Sequence, residues 1–304
     1  MLIYYSGIST FVFAIRSMFN LYGTIQSNPG KYRQLSCGES LISVYNCPLE
    51  EKMVDVWSHH NYIVYVMEGR KIWHTADGSY DLTKGNCVFV RKGACIVEQF
   101  LDVTFCLIIF FIPDDFICKV LASKSTPIRP PGQSFHPVMP VDVTPSVSIF
   151  FQSMMPHFEA GRQPDQAILE LKFRELILHI ADTPVNAEIL TYFCSLLKAP
   201  AAVSLQKIME ENFCFNLKLD EFARLSNRSL SAFKRDFQKQ FSNTPGKWLT
   251  EKRLNHAMHL LSHQGKTVGE AAFESGFENQ SHFSRAFKIR FGISPATVKQ
   301  AEKA

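Results

Sequence analysis

One pattern constrains this chain more than any other: F-x-x-x-F-x-x-x-F-x-x-x-P occurs twice, fifty residues apart. Phe233, Phe237, Phe241 and Pro245 recur as Phe283, Phe287, Phe291 and Pro295, with Arg235 matched by Arg285. Four-residue spacing places the three phenylalanines on one face of a helix, and the proline allows a stop followed by a new element. A shorter helix precedes each copy. In the first it spans about Leu219 to Leu225; in the second, Thr267 and Glu270 form a T-x-x-E capping box ahead of Ala271, Ala272 and Phe273. Tight turns, Ser226-Asn227-Arg228 and Ser275-Gly276-Phe277, join each short helix to its phenylalanine helix. Helix, short turn, helix is the DNA-binding supersecondary unit.

A phenylalanine stripe by itself says only that a helix packs on a core, so the opposite faces decide. On the first helix, near 229–241, the exposed stripe reads Ser231, Lys234, Arg235 and Gln238; on the second, near 279–291, it reads Gln280, Ser281, Ser284, Arg285 and Lys288. These are donors and acceptors for phosphates and base edges, with no acid in either stripe, whereas a merely solvated face mixes in Asp and Glu. Between the units, Thr244 as N-cap and Pro245 at the first helical position open a helix to about His263, with Trp248, Leu254, Ala257, Met258 and Leu261 on its buried side. Its length of ~28 Å approaches the ~34 Å between major-groove openings on one DNA face. Charge agrees. Residues 200–304 carry 16 Lys plus Arg against 10 Asp plus Glu, a balance of +6, while the remainder is −2.

These motifs resemble the AraC/XylS transcription regulators: Leu219-Asp-Glu-Phe-Ala, Ser231-Ala-Phe-Lys-Arg-Asp-Phe, Thr244-Pro, Arg253-Leu254 with Ala257 and Leu260-Leu261, Val268 through Phe277, and Ser281-His-Phe-Ser-Arg-Ala-Phe-Lys through Pro295. The resemblance covers about 95 residues. It implies that Ser231, Lys234 and Arg235 face one major groove of double-stranded DNA and that Gln280, Ser281, His282, Ser284 and Arg285 face the next. It also implies an activator rather than a repressor, with RNA polymerase as a partner. Two departures fall in the first unit: Lys218 stands where a Ser or Thr cap is common, and Asn227 replaces the usual turn glycine.

From Tyr32 to Phe116 the pattern is β-like. Tyr62–Met67, Lys71–Thr75, Cys87–Val90 and Val103–Ile112 each run into a turn signal, which indicates a sandwich or barrel. His59-His60 through Gly69, with Lys84-Gly through Lys92-Gly93, is similar to the cupin-type barrel found in many AraC relatives, and the basic-Gly turn after Val88-Phe89-Val90 is similar to a subgroup that controls type III secretion and answers to protein partners. The adjacent His59 and His60 would point to opposite faces of a strand, and no histidine lies between His74 and His136, so no metal site, cofactor or catalytic set is expected. A small-molecule effector between the sheets or a regulatory protein on this domain is expected instead.

Prolines 127, 130, 131, 137 and 140 mark a loop or linker, and Ile168, Leu171, Phe173, Leu176, Ile177 and Ile180 form a wide helical stripe after Pro164-Asp165 that packs on its own sandwich or pairs subunits as a homodimer. The expected architecture is α+β with two domains. A cupin-like β-barrel or sandwich occupies 32–125, a linker and helices with a dimerising role occupy 126–199, and an all-α domain with two helix-turn-helix units occupies 200–300. Eight singly spaced cysteines suggest reduced thiols and a cytoplasmic protein. The apolar first 28 residues, interrupted by Arg16, do not read as a secretory signal or membrane span, but as a start near Met18 or an extra strand or helix. The competing readings are a cupin-type metal enzyme with a helical appendage and a protein-interaction adaptor.

Overall fold

The computed structural model describes residues 18–46, 51–100, 104–160, 162–198 and 205–301. Residues 1–17, Cys47, Val103 and Ala202, which entered the sequence reading, lie outside that set. The described residues divide into two compact units, 19–198 and 205–301.

The first unit opens with β1 (Phe19–Asn20) and α1 (Leu21–Gln26). Then come β2 (Arg33–Cys37), β3 (Ser40–Asn46), β4 (Met53–Ser58), β5 (Asn61–Glu68), β6 (Arg70–Thr75), β7 (Gly78–Thr83), β8 (Cys87–Val90), β9 (Gly93–Gln99) and β10 (Cys106–Ile112). After α2 (Asp114–Ala122) and β11 (Val138–Val141) the unit closes with α3 (Pro145–Glu159), α4 (Gln166–Ala181) and α5 (Ala187–Lys198). Two sheets result, ordered β1-β4-β9-β6-β7 and β11-β8-β5-β10-β3-β2.

Strand β10 shows why the stack has three layers. Its sequence is almost uninterrupted in apolar residues because both faces are buried. Leu107, Ile109 and Phe111 enter the core between the sheets with Val56, Trp73 and Leu82. Ile108, Phe110 and Ile112 enter a second core against α2 to α5, with Phe150, Phe151, Phe173, Leu176 and Phe193. The helices from Pro145 to Lys198 therefore brace the six-stranded sheet.

Two expectations need correction here. The proline-marked segment is not all loop, since Val138–Val141 pairs antiparallel with β8. Pro140 is tolerated because β11 lies at a sheet edge, where one side of the backbone needs no ladder partner. The stripe on α4 is also narrower than its periodicity suggests: Leu169, Phe173, Leu176, Ile177 and Ile180 are buried, while Ile168 is 44% and Leu171 64% exposed.

The second unit is all helical: α6 (Leu205–Asn212), α7 (Leu219–Leu225), α8 (Leu230–Phe241), α9 (Pro245–His263), α10 (Val268–Glu274), α11 (Gln280–Phe291) and α12 (Pro295–Ala301). No described helix is long and apolar enough to cross a membrane.

Candidate nucleic-acid interface

The two repeats fold alike down to their caps. Ser229 opens α8 by accepting the Ala232 N–H, and Asn279 opens α11 by accepting those of Ser281 and His282. Ser242 and Gly292 close the two helices, both left-handed, at φ 53° and 75°. Phe233, Phe237, Phe283 and Phe287 are fully buried, with ring centroids 6.0 Å apart in the first pair and 5.4 Å in the second. Phe241 and Phe291 finish each stripe half-buried. Thr244 caps α9 through the Lys247 N–H, with Pro245 at its first position.

With the phenylalanines turned inward, Ser231, Lys234, Arg235 and Gln238 on α8 are exposed, as are Gln280, Ser281, His282, Arg285 and Lys288 on α11; Ser284 is half-buried. The residues singled out from sequence thus gather on two faces, one per repeat. An acid interrupts the first after all. Asp236, next along α8, accepts from Arg235 Nε at 3.1 Å and from Arg228 Nε at 3.3 Å; desolvation raises its carboxyl pKa, and the bonds and charges of the two guanidinium groups together outweigh that and hold it below the usual range. Arg235 is therefore partly committed within its own helix, which the i, i+3, i+4 pattern does not reveal.

The departures in the first unit have unequal consequences. Asn227 adopts φ 54°, the left-handed turn that Gly276 makes at φ 83°, so the backbone turn is retained. The cap is weaker. Thr267 and Glu270 exchange both bonds of a capping box at 2.6 and 3.2 Å, whereas at Lys218 only half can form: Glu221 accepts the Lys218 N–H at 2.7 Å, and an ammonium group has no lone pair to return the bond.

In the first unit, His59 and His60 are not on opposite faces of a strand. They form the two-residue link from β4 to β5, their rings 4.3 Å apart and both edge-on to Tyr22. Burial, then the neighbouring His59, pushes His60 down to about 4. Among the described residues no three His, Cys, Asp or Glu side chains gather where a metal could sit. The inner space does hold a cation that the sequence reading missed. Lys71 is 3% exposed, donates to Gln99 Oε1 at 2.9 Å and lies 4.2 Å from the Phe105 ring centroid. With Tyr62, Trp73 and Ile109 it lines a small cavity of about 40 Å³. Strand alternation from the exposed Arg70 was the available signal.

Residues 222–301 match the model of a helix-turn-helix domain, and residues 61–192 match that of an ExsA N-terminal regulatory domain. The virulence regulon transcriptional activator VirF of Yersinia enterocolitica is 28% identical over 237 residues, covering 77% of this chain and 87% of the relative. The HTH-type transcriptional regulator ExsA of Pseudomonas aeruginosa is 29% identical over 247 residues, covering 79% and 86%.

The C-terminal domain is an AraC-type helix-turn-helix domain, and the chain's relatives are AraC-family regulators.

The regulator is a DNA-binding protein with an N-terminal regulatory domain and a C-terminal helix-turn-helix domain. Among solved structures it is similar to ToxT from Vibrio cholerae, with 11% identity, a TM-score of 0.38 and coverage of 86% of this chain and 98% of that one. One more residue of the DNA-binding unit escaped the sequence reading as a functional side chain. Arg253 of α9 is turned inward, and burial lowers its pKa to about 10. On a helical wheel an isolated arginine is indistinguishable from a solvated one, because its partners are distant backbone carbonyls.

Proposed function

We propose that this regulator is a cytoplasmic transcription activator that reads two successive major-groove faces of double-stranded DNA, one with α8 and one with α11. The observation that carries this reading is the duplication of one arrangement. Each helix buries its phenylalanines and leaves a face of hydroxyls, amides and cations exposed, and α11 has no carboxylate at all. Arg235, Arg285, Gln238 and Gln280 are suited to base edges, and Lys234, Lys288, Ser231, Ser281, Ser284 and His282 to phosphates or bases. VirF is named an activator, and that habit is transferred here together with RNA polymerase as partner.

The N-terminal domain would supply control. Leu171 and Ile168 on α4 offer an apolar face for a second copy of the chain. Hydroxyl-radical footprinting on a duplex selected from a random pool tests the reading. Two protected tracts one helical turn apart on one face of the DNA are expected. A single tract, or uniform protection, would refute it.

A further inference from the structure

The two helix-turn-helix units do not share α9 evenly. Its C-terminal half belongs to the second unit, where Leu254, Ala257, Leu260 and Leu261 pack with Ala271, Ala272, Phe277, Phe283 and Phe287. The first unit meets α9 nearer its start, with Trp248 6.0 Å from Phe237. Between these contacts stands Arg253. Its Nε donates to the Phe213 carbonyl at 2.7 Å and its Nη2 to the Phe215 carbonyl at 2.6 Å. Both carbonyls lie in the segment linking α6 to α7, where chain leaving a helix lacks intrahelical partners for its carbonyls and favours a cation.

The same guanidinium abuts the turn of the second unit. A Cβ added at Gly276 would lie 2.9 Å from Arg253 Nε and 3.0 Å from the Cys214 carbonyl. A second bond crosses this junction, from Asn216 Nδ2 to Glu278 Oε1 at 2.5 Å. One side chain therefore touches the linking helix, the entry to the first unit and the turn of the second. A guanidinium is planar and its N–H directions are fixed, so two simultaneous bonds set an orientation as well as a distance; a lysine ammonium, with rotatable donors on a flexible stem, can bond a carbonyl there without fixing the orientation.

Given the two-groove reading above, on which this rests, we infer that Arg253 is a positioning residue that locks α8 and α11 at one separation, so that paired half-sites are recognised at a single spacing. Without the clamp, each unit would still dock on its own half-site. The gain from joining them would fall, because that gain depends on both units reaching their sites in one geometry.

The test uses the full chain and fluorescence anisotropy on the duplex it selects from a random pool, on versions with two base pairs inserted or deleted between half-sites, and on a duplex carrying one half-site. Wild type is expected to favour the selected spacing by about tenfold or more, and Arg253→Lys to lose about tenfold there, flatten the preference, and stay within about twofold on the single half-site. Asn216→Ala should shift the preference the same way by less, and it decides the matter if Arg253→Lys loses its helical circular dichroism. An unchanged spacing preference in both variants, or an equal loss on every duplex, would overturn the inference. Wild type bound through one half-site only would remove the two-groove reading itself.

Discussion

Replacing Gly276 by alanine puts a number on the junction. The residue sits at φ +83°, where an L side chain costs about 1–2 kcal/mol. The new methyl would also meet Arg253 Nε at 2.9 Å and the Cys214 carbonyl at 3.0 Å, neither of them the loose end of a flexible chain, because Arg253 is held at two carbonyls. Forced overpacking of this kind costs about 1–3 kcal/mol, which brings the total to about 2–5 kcal/mol. Gly265 is the control. It is also left-handed, at φ +61°, but nothing lies within 4 Å of an added Cβ, so Gly265→Ala should cost only the backbone share of about 1–2 kcal/mol. Native-state hydrogen exchange read on peptides from α10 and α11 separates them, with each 1.4 kcal/mol appearing as about tenfold faster exchange in the most protected amides. Equal effects from the two substitutions would show that Arg253 does not approach the turn as described.

Two predictions concern the first unit. Asn61 is fully buried, donates to Asp114 at 2.6 Å and accepts from the Tyr192 hydroxyl at 2.8 Å and the Lys92 N–H at 3.1 Å. Asn61→Ala should therefore destabilise the sandwich by about 2–4 kcal/mol in urea unfolding, and a cost under about 0.5 kcal/mol would refute that role. His60 is held at about 4 in the folded chain against 6.5 for a free histidine, so the unfolded chain binds more protons between these values. Its contribution is present in full above pH 6.5 and is lost as pH falls towards 4, on the order of 3 kcal/mol in all. His60→Asn should flatten the pH dependence of the melting temperature over that window; an unaltered dependence would rule His60 out.

The DNA-binding half was legible because its signals are local. Phenylalanine spacing, the Thr267–Glu270 box and Thr244-Pro245 specify helices and caps without reference to the rest of the chain, and α7, α9 and the two phenylalanine helices form where those signals place them. The strands were legible for the same reason. What escaped depends on tertiary partners. Pro140 looked like loop until a sheet edge supplied a place for it, and periodicity could not separate the exposed Leu171 and Ile168 from the buried remainder of the α4 stripe. The His59–His60 pair was misread because alternation was applied to a two-residue turn. Asp236, Lys71 and Arg253 carry charges whose partners are an adjacent residue outside the helical spacing rule, a side chain on another strand and carbonyls forty residues away.

The claim that two separate faces bind DNA is tested most directly by the salt dependence of binding to the selected duplex, for wild type, Lys234→Ala/Arg235→Ala and Arg285→Ala/Lys288→Ala. Each cation that neutralises a phosphate adds about 0.9 to the slope of log affinity against log salt. Both double variants are therefore expected to bind more weakly, to lose about 0.9 of slope each through Lys234 and Lys288, and to lose selectivity through Arg235 and Arg285. A slope and selectivity unchanged by either pair would contradict the account, and a loss confined to one pair would leave a regulator that reads DNA with a single face.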